Sequence, residues 1–181
     1  MTVKRVTGGA GIVCAVSVII GIVLQNGNVR TTEEGLDLIG NSESCRRDPY
    51  VCPAGILTDG LGNTHGVKPG TVKNDAQIAK DWEKNILTAE KCINTYFRGR
   101  DMNDNQFSAM TSAAFNMGCN GIRFYYSKAQ GKKVQTSINK WAQSGQWVNM
   151  CNHLPDFVNS GGKRLKGLEI RREAERKLCL R

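Results

Sequence analysis

The stretch from Leu38 to Gly66, LIGNSESCRRDPYVCPAGILTDGLGNTHG, decides how the rest of this 181-residue chain is read. It opens on the apolar end of a short helix. From Asp48 onward, turn residues interrupt short apolar pieces, which predicts a small antiparallel sheet with tight turns at Pro53-Ala54-Gly55 and Asp59-Gly60. Upstream, Thr31 or Thr32 can cap the helix, with Glu33 and Glu34 in its first turn and Leu36, Leu38 and Ile39 as its apolar surface. Downstream of Pro69-Gly70 the pattern turns helical to the end. Asn74 with Gln77 reads as a capping box opening a long helix with Ile78, Trp82, Ile86, Ala89 and Ile93 on one face. Asn103 with Gln106 repeats the signal before Phe107, Met110, Ala114 and Met117, and further helical pieces fall at Ser137 to Ala142 and Leu168 to Leu178. The expected fold class is α+β: a small β-containing N-terminal lobe and a larger helical C-terminal lobe, with no internal repeat.

Composition supports one fair-sized domain. Hydrophobic residues make up 40% and charged residues 23%, which excludes a mainly disordered chain and a multi-span membrane protein. Lys and Arg outnumber Asp and Glu by 25 to 16, so the net charge of +9 suits an anionic partner. From Gly161 to Arg181 alone the surplus is +5, in which a solvated helix face competes with attraction to an anionic envelope. Seven cysteines point to an oxidising compartment.

The first thirty residues differ from the rest. Lys4 and Arg5 precede a charge-free run, GGAGIVCAVSVIIGIVL from Gly8 to Leu24. Seventeen helical residues reach about 25 Å, the lower limit for crossing the ~30 Å hydrocarbon layer. No small-residue cleavage site follows Leu24, which argues against a cleaved signal peptide; the missing polar face argues against a buried core helix. Residues 1–29 are therefore expected to be a membrane segment and linker ahead of a soluble domain at 30–181. The basic flank predicts that the N-terminus stays in the cytoplasm and the domain is exported. Glycines 8, 9, 11 and 21 weaken the anchor, so the segment could insert and later leave.

Glu43, Cys52 and Thr58 are the candidate catalytic residues. Their spacing, Glu-x8-Cys-x5-Thr, followed by Gly60-Leu61-Gly62, resembles the phage-type lysozymes, whose pattern is Glu-x8-Asp(or Cys)-x5-Thr before a Gly-x-Gly turn. The likeness runs from about Gly35 to the C-terminus and includes Ala113-Ala114-Phe115-Asn116-Met117-Gly118 and Arg171-Arg172. With the anchor and the cysteine placement, the chain is more similar still to the signal-anchor-release endolysins of tailed phages. Two departures stand out: cysteine fills the usual aspartate position, and the histidine normally beside the Gly-x-Gly turn is displaced to His65. The resemblance implies a muramidase that cuts the glycan of peptidoglycan, with Glu43 as general acid, Thr58 orienting a water and Cys52 polarising it. His65 and His153 lack metal-ligand spacing, so neither a metal nor another cofactor is expected.

The resemblance also implies a switch. A Cys45–Cys52 bridge would hold the site inactive until Cys14, shielded in lipid, leaves the membrane and attacks Cys45. A permanent Cys45–Cys52 staple, with Cys14 as a small apolar residue, is the structural alternative. Cys92, Cys119, Cys151 and Cys179 allow three pairings, and the residues do not choose among them. The expected partners are peptidoglycan, the host inner membrane before release and the host Sec export machinery. The protein is expected to act as a monomer, first at the inner membrane and then in the periplasm. Nucleic acid is not an expected partner, since no basic motif carries interleaved aromatics. The competing function is a membrane-tethered peptidoglycan-binding protein that lost catalysis through the cysteine replacement. Turbidity loss of chloroform-treated Gram-negative cells separates the two, because a pure binder clears nothing.

Overall fold

The computed structural model describes residues 11–52 and 55–181. The expected elements at Lys4-Arg5, at Gly8 to Ala10 and at Pro53-Ala54 lie outside the described residues. The first helix, α1, runs Val16–Asn26, and α2, Glu33–Gly40, follows it. Thr32 is the cap of α2, accepting from the Gly35 N–H. A hairpin of β1, Cys45–Val51, and β2, Leu57–Leu61, comes next. The long helix α3, Asp75–Tyr96, and α4, Asp104–Arg123, both open on the predicted capping boxes.

Two small two-stranded sheets interrupt the helical lobe that the sequence pattern predicts as uninterrupted. Strands β3, Phe124–Ser127, and β4, Lys132–Gln135, form one; β5, Asn159–Ser160, and β6, Lys163–Arg164, form the other. The reason is local. Phe124-Tyr125-Tyr126 is strand-favouring, and Gly161-Gly162 take φ of 57° and 76°, as a tight two-residue hairpin turn requires. Helices α5, Ser137–Gln143, and α6, Trp147–Asn152, and finally α7, Lys166–Cys179, complete the chain. The turn expected at Asp59-Gly60 also shifts. Both residues belong to β2, and the chain reverses just after them, where Asp59 and Asn63 exchange backbone hydrogen bonds of 2.9 Å.

Two apolar clusters form the core. The larger packs Phe97, Phe107, Met110, Ile138, Met150 and Leu178 among α3 to α7. The smaller joins Leu36 and Ile39 of α2, Leu61 of β2 and Ile78, Trp82 and Ile86 of α3 to Ile19, Ile20 and Val23 of α1. The apolar N-terminal segment is thus a core helix here, the alternative that its missing polar face argued against. Its outer face remains apolar, with Val18 48% and Leu24 37% exposed. No helix among the described residues is long and apolar enough to cross a membrane. The linker is also docked: the Asn26 and Asn28 amides donate to the Glu83 carboxylate at 2.6 and 2.9 Å.

Candidate active site

Glu43 follows directly on α2, where its backbone N–H donates to the Gly40 carbonyl at 3.1 Å. Its carboxylate turns toward the far end of the chain. The Arg171 guanidinium of α7 donates to Glu43 Oε1 at 3.2 Å, and the carboxylate is still one-quarter exposed. Arg171 is buried and held from three sides: it also reaches the Ser112 carbonyl and the Glu175 carboxylate. Glu175 is fully buried and receives the Ser112 hydroxyl at 2.6 Å and the Arg172 guanidinium at 2.8 Å. Burial pushes the Glu175 carboxyl up, against the pull of Arg172 and Arg171. The Arg-Arg-x-x-Glu spacing puts these groups one turn apart on α7, which is how a carboxylate becomes tolerable in the interior.

The hairpin carries the other two residues. Tyr50 pairs with Thr58, and the Cys52 N–H donates to the Ile56 carbonyl at 2.9 Å, so Cys52, Tyr50 and Thr58 share one face by the two-residue period of a strand. Thr58 is buried, and its hydroxyl donates to the Ile56 carbonyl at 3.0 Å. That bond uses the only proton of the hydroxyl and leaves its lone pairs as acceptors. Burial raises the Tyr50 phenol, with the nearby Glu43 and Cys52 charges acting in the same direction. Tyr50 therefore lies within electrostatic reach of both residues.

A charged network fixes the hairpin to α3. The buried Asp59 of β2 pairs with Lys73 at 2.6 Å, and Lys73 pairs with Asp81 at 2.7 Å. Burial alone would lower the Lys73 ammonium, but the hydrogen bonds to Asp59 and Asp81 outweigh it and hold it raised. Asn63 joins the loop to the same helix, donating to Asp59 at 2.9 Å and accepting from Asn85 at 3.3 Å. Beside this network lies a cleft of about 350 Å³, between Gly62, Thr64 and His65 on the small-lobe side and Asn85, Thr88, Ala114 and Phe115 on the helical side. His65 thus reaches the cleft although it is displaced from the turn.

Gly62 joins the cleft to the acid. It has φ of 69°, and a Cβ there would lie 3.1 Å from Glu43 Oε2. Gly62→Ala is therefore expected to cost about 1 kcal/mol in backbone strain and to displace the carboxylate. A thermal melt should show the first effect and a wall-lysis rate well below wild type the second. An unchanged lysis rate would show that Glu43 has room to give way.

Three disulfides form among the described residues: Cys14–Cys45, Cys92–Cys119 and Cys151–Cys179. Cys52 belongs to none of them. The first bond clamps the segment before α1 to the start of β1. There the Arg47 N–H donates to the Ile12 carbonyl at 2.7 Å and the Cys14 N–H to the Cys45 carbonyl at 3.3 Å, a single antiparallel bridge between Val13 and Arg46 at the hairpin edge. In the sequence Arg171-Arg172 stands out only as part of the resemblance and Asp59 only as a turn residue, while Lys73 and Glu175 carry no signal of their own as site residues. The one available signal was the Arg-Arg-x-x-Glu spacing.

This arrangement, an acid at a helix end facing a two-stranded hairpin across from a helical lobe, defines a lysozyme-class enzyme. The phage lysozyme family model matches residues 40–175, and the chain belongs to that family. It is 70% identical over 176 residues to the SAR-endolysin of Escherichia phage P1, covering 97% of this chain and 95% of the relative. A crystal structure of the active form of P1 phage endolysin Lyz superposes with a TM-score of 0.92 at 71% identity, over 94% of this chain and 96% of that one. The secreted inactive form of the same endolysin gives 0.63 at 72% identity, over 83% and 95%. At nearly equal identity, the chain superposes more closely on the structure of the active form.

Proposed function

We propose that the protein is an endolysin of the signal-anchor-release type. It would hydrolyse the β-1,4 linkage between N-acetylmuramic acid and N-acetylglucosamine in peptidoglycan and thereby lyse the host. In this reading Glu43 gives a proton to the leaving glycosidic oxygen. Thr58, with its proton committed to Ile56, accepts a hydrogen bond from the attacking water, and Cys52 on the same face polarises it. Arg171 holds the carboxylate beside Gly62, which lines the cleft.

Regulation rests on one observation above the others: the Cys14–Cys45 bond ties the apolar segment to the strand that follows the acid. Before release, residues 1–29 would sit in the host inner membrane with the domain in the periplasm, and Cys45 would be bonded to Cys52. After release, Cys14 thiolate attacks the Cys45 sulfur and expels Cys52 as thiolate; one disulfide replaces another, so no oxidant is consumed. Geometry adds a second consequence. Cys45 pairs opposite Leu61 at one end of β1, whereas Cys52 lies just beyond its other end. Seven residues of strand span roughly 23 Å, far beyond the ~7 Å Cα separation that a disulfide tolerates. A Cys45–Cys52 bond therefore excludes this hairpin, and the exchange builds the strand as well as releasing the thiol. Burying Ile19, Ile20 and Val23 contributes about 1.5–3 kcal/mol each, offsetting part of the cost of leaving lipid.

The released enzyme is expected to keep its N-terminal segment, starting at Met1 or Thr2. Intact-mass measurement of the periplasmic protein checks this, and a new N-terminus near Gly27 would refute it. Chemistry is tested separately by the reducing-end sugar released from purified sacculi: N-acetylmuramic acid supports the proposal, and N-acetylglucosamine or no release overturns it.

A further inference from the structure

The C-terminal run that carries much of the basic surplus is partly compensated within the fold, by four carboxylates besides Glu43 for its eight cations. Arg164 and Lys166 pair with Glu169, Arg171 and Arg172 with Glu175, Arg176 with Glu173, and Arg181 with Glu34. That run still keeps a surplus, but a second concentration of charge has no carboxylate near it in sequence. From Asn105 to Pro155 the chain has no acidic residue and five Lys or Arg. Three of these, Lys128, Lys132 and Lys133, crowd the β3–β4 hairpin, all exposed, and none has an ion-pair partner among the described residues. Beside them Tyr125 and Tyr126 are 53% and 66% exposed.

The hairpin follows directly on the end of α4, whose residues up to Cys119 line the cleft. Cys92 and Cys119, bonded to each other, line the cleft from α3 and α4. One helical turn further on lie Tyr96 and Arg123, about 6 Å along each helix, with the Arg123 guanidinium 3.4 Å above the Tyr96 ring. Arg123 leads directly into β3, and the Thr136 N–H and hydroxyl tie the end of β4 back to Arg123 and Ile122.

The geometry points to the β3–β4 hairpin as a second recognition site that takes the carboxylates of the acidic peptides carried by the wall polymer, beyond the cleft where the glycan is cut. The site rests on the wall-polymer reading above. A lipid surface fits less well. The tip, Lys128-Ala129-Gln130-Gly131-Lys132, offers no large apolar side chain to insert. Arg123, at the base of β3, connects the lysines to the helix whose residues line the cleft.

The test is binding, so that it does not depend on turnover. In a Glu43→Gln background, the triple change Lys128→Glu, Lys132→Glu and Lys133→Glu is compared with its parent on purified sacculi. Low and high salt are used, before and after the sacculus carboxylates are converted to amides. The triple variant is expected to bind native sacculi about tenfold more weakly at low salt, the deficit shrinking as salt screens it. On amidated sacculi the two proteins should bind alike. The neutral triple change to Gln should fall between them, and since all three side chains are exposed, matching thermal melts are expected. Equal binding of parent and triple variant to native sacculi, or a deficit that survives amidation, overturns the proposal. So does a deficit seen only on phosphatidylglycerol-containing vesicles, which would make the hairpin a membrane face. Digestion of the sacculi by the Glu43→Gln parent would instead count against the catalytic assignment and leave the binding comparison readable.

Discussion

Glu43→Gln is expected to lose wall cleavage by about 10²–10⁴-fold while the protein stays folded. The amide keeps the size of the carboxylate and an oxygen for Arg171, yet it cannot deliver a proton to the leaving oxygen. The stability cost is small because the Glu43–Arg171 contact is only partly buried on the Glu43 side. Losing such a pair costs about 1 kcal/mol or less, a Tm change of about 4 °C or less in a domain of this size. Turbidity clearance of chloroform-treated cells, with a thermal melt on the same preparation, decides the matter. Near wild-type clearance by a normally melting Glu43→Gln protein would place the acid elsewhere. Loss of activity together with a collapsed melt would mean that Glu43 supports the fold through Arg171.

The cysteine variants should differ in sign. Cys14→Ser is expected to give a protein that is exported and released but inert, because no thiol displaces Cys52 from Cys45 and β1 cannot form. Cys45→Ser removes the cage itself, so the site assembles without exchange and the host lyses early. That variant also lacks the Cys14–Cys45 clamp, and losing a native disulfide typically costs about 2–5 kcal/mol, so its early activity should be heat-sensitive. A purely structural bond would instead weaken both variants alike. Lysis timing after induction, with disulfide mapping by mass spectrometry, reads the outcome. Normal lysis by Cys14→Ser would remove that residue from the switch, and an inert Cys45→Ser would make Cys45 a support of the site.

Both predictions start from residues visible in the chain, but they depend on contacts that are not. Thr32, the Asn74–Gln77 box and the Asn103–Gln106 box act within three residues, so their chemistry is complete in a short peptide and the helix starts follow directly. The spacing of Glu43, Cys52 and Thr58 is likewise local, and the two-residue period of a strand suffices to put Cys52 and Thr58 on one face. Arg171 meets Glu43 across 128 positions of sequence, and no local pattern encodes such an approach. The Asp59–Lys73–Asp81 network depends in the same way on how the hairpin lies against α3.

Cysteine pairing and the fate of the first helix belong to the second group. Seven thiols state that bridges will form, but which sulfurs meet is settled by the packing of α3 on α4 and of α6 beside α7. The segment around Val16 to Leu24 is apolar on every side, and that composition suits a lipid layer and a protein interior equally. The chain alone thus determines that the segment favours apolar surroundings, which the fold supplies on one face while Val18 and Leu24 stay exposed. It becomes a core helix here because α2, β2 and α3 leave an apolar face that Ile19, Ile20 and Val23 fill, and because Cys45 stands where Cys14 can reach it.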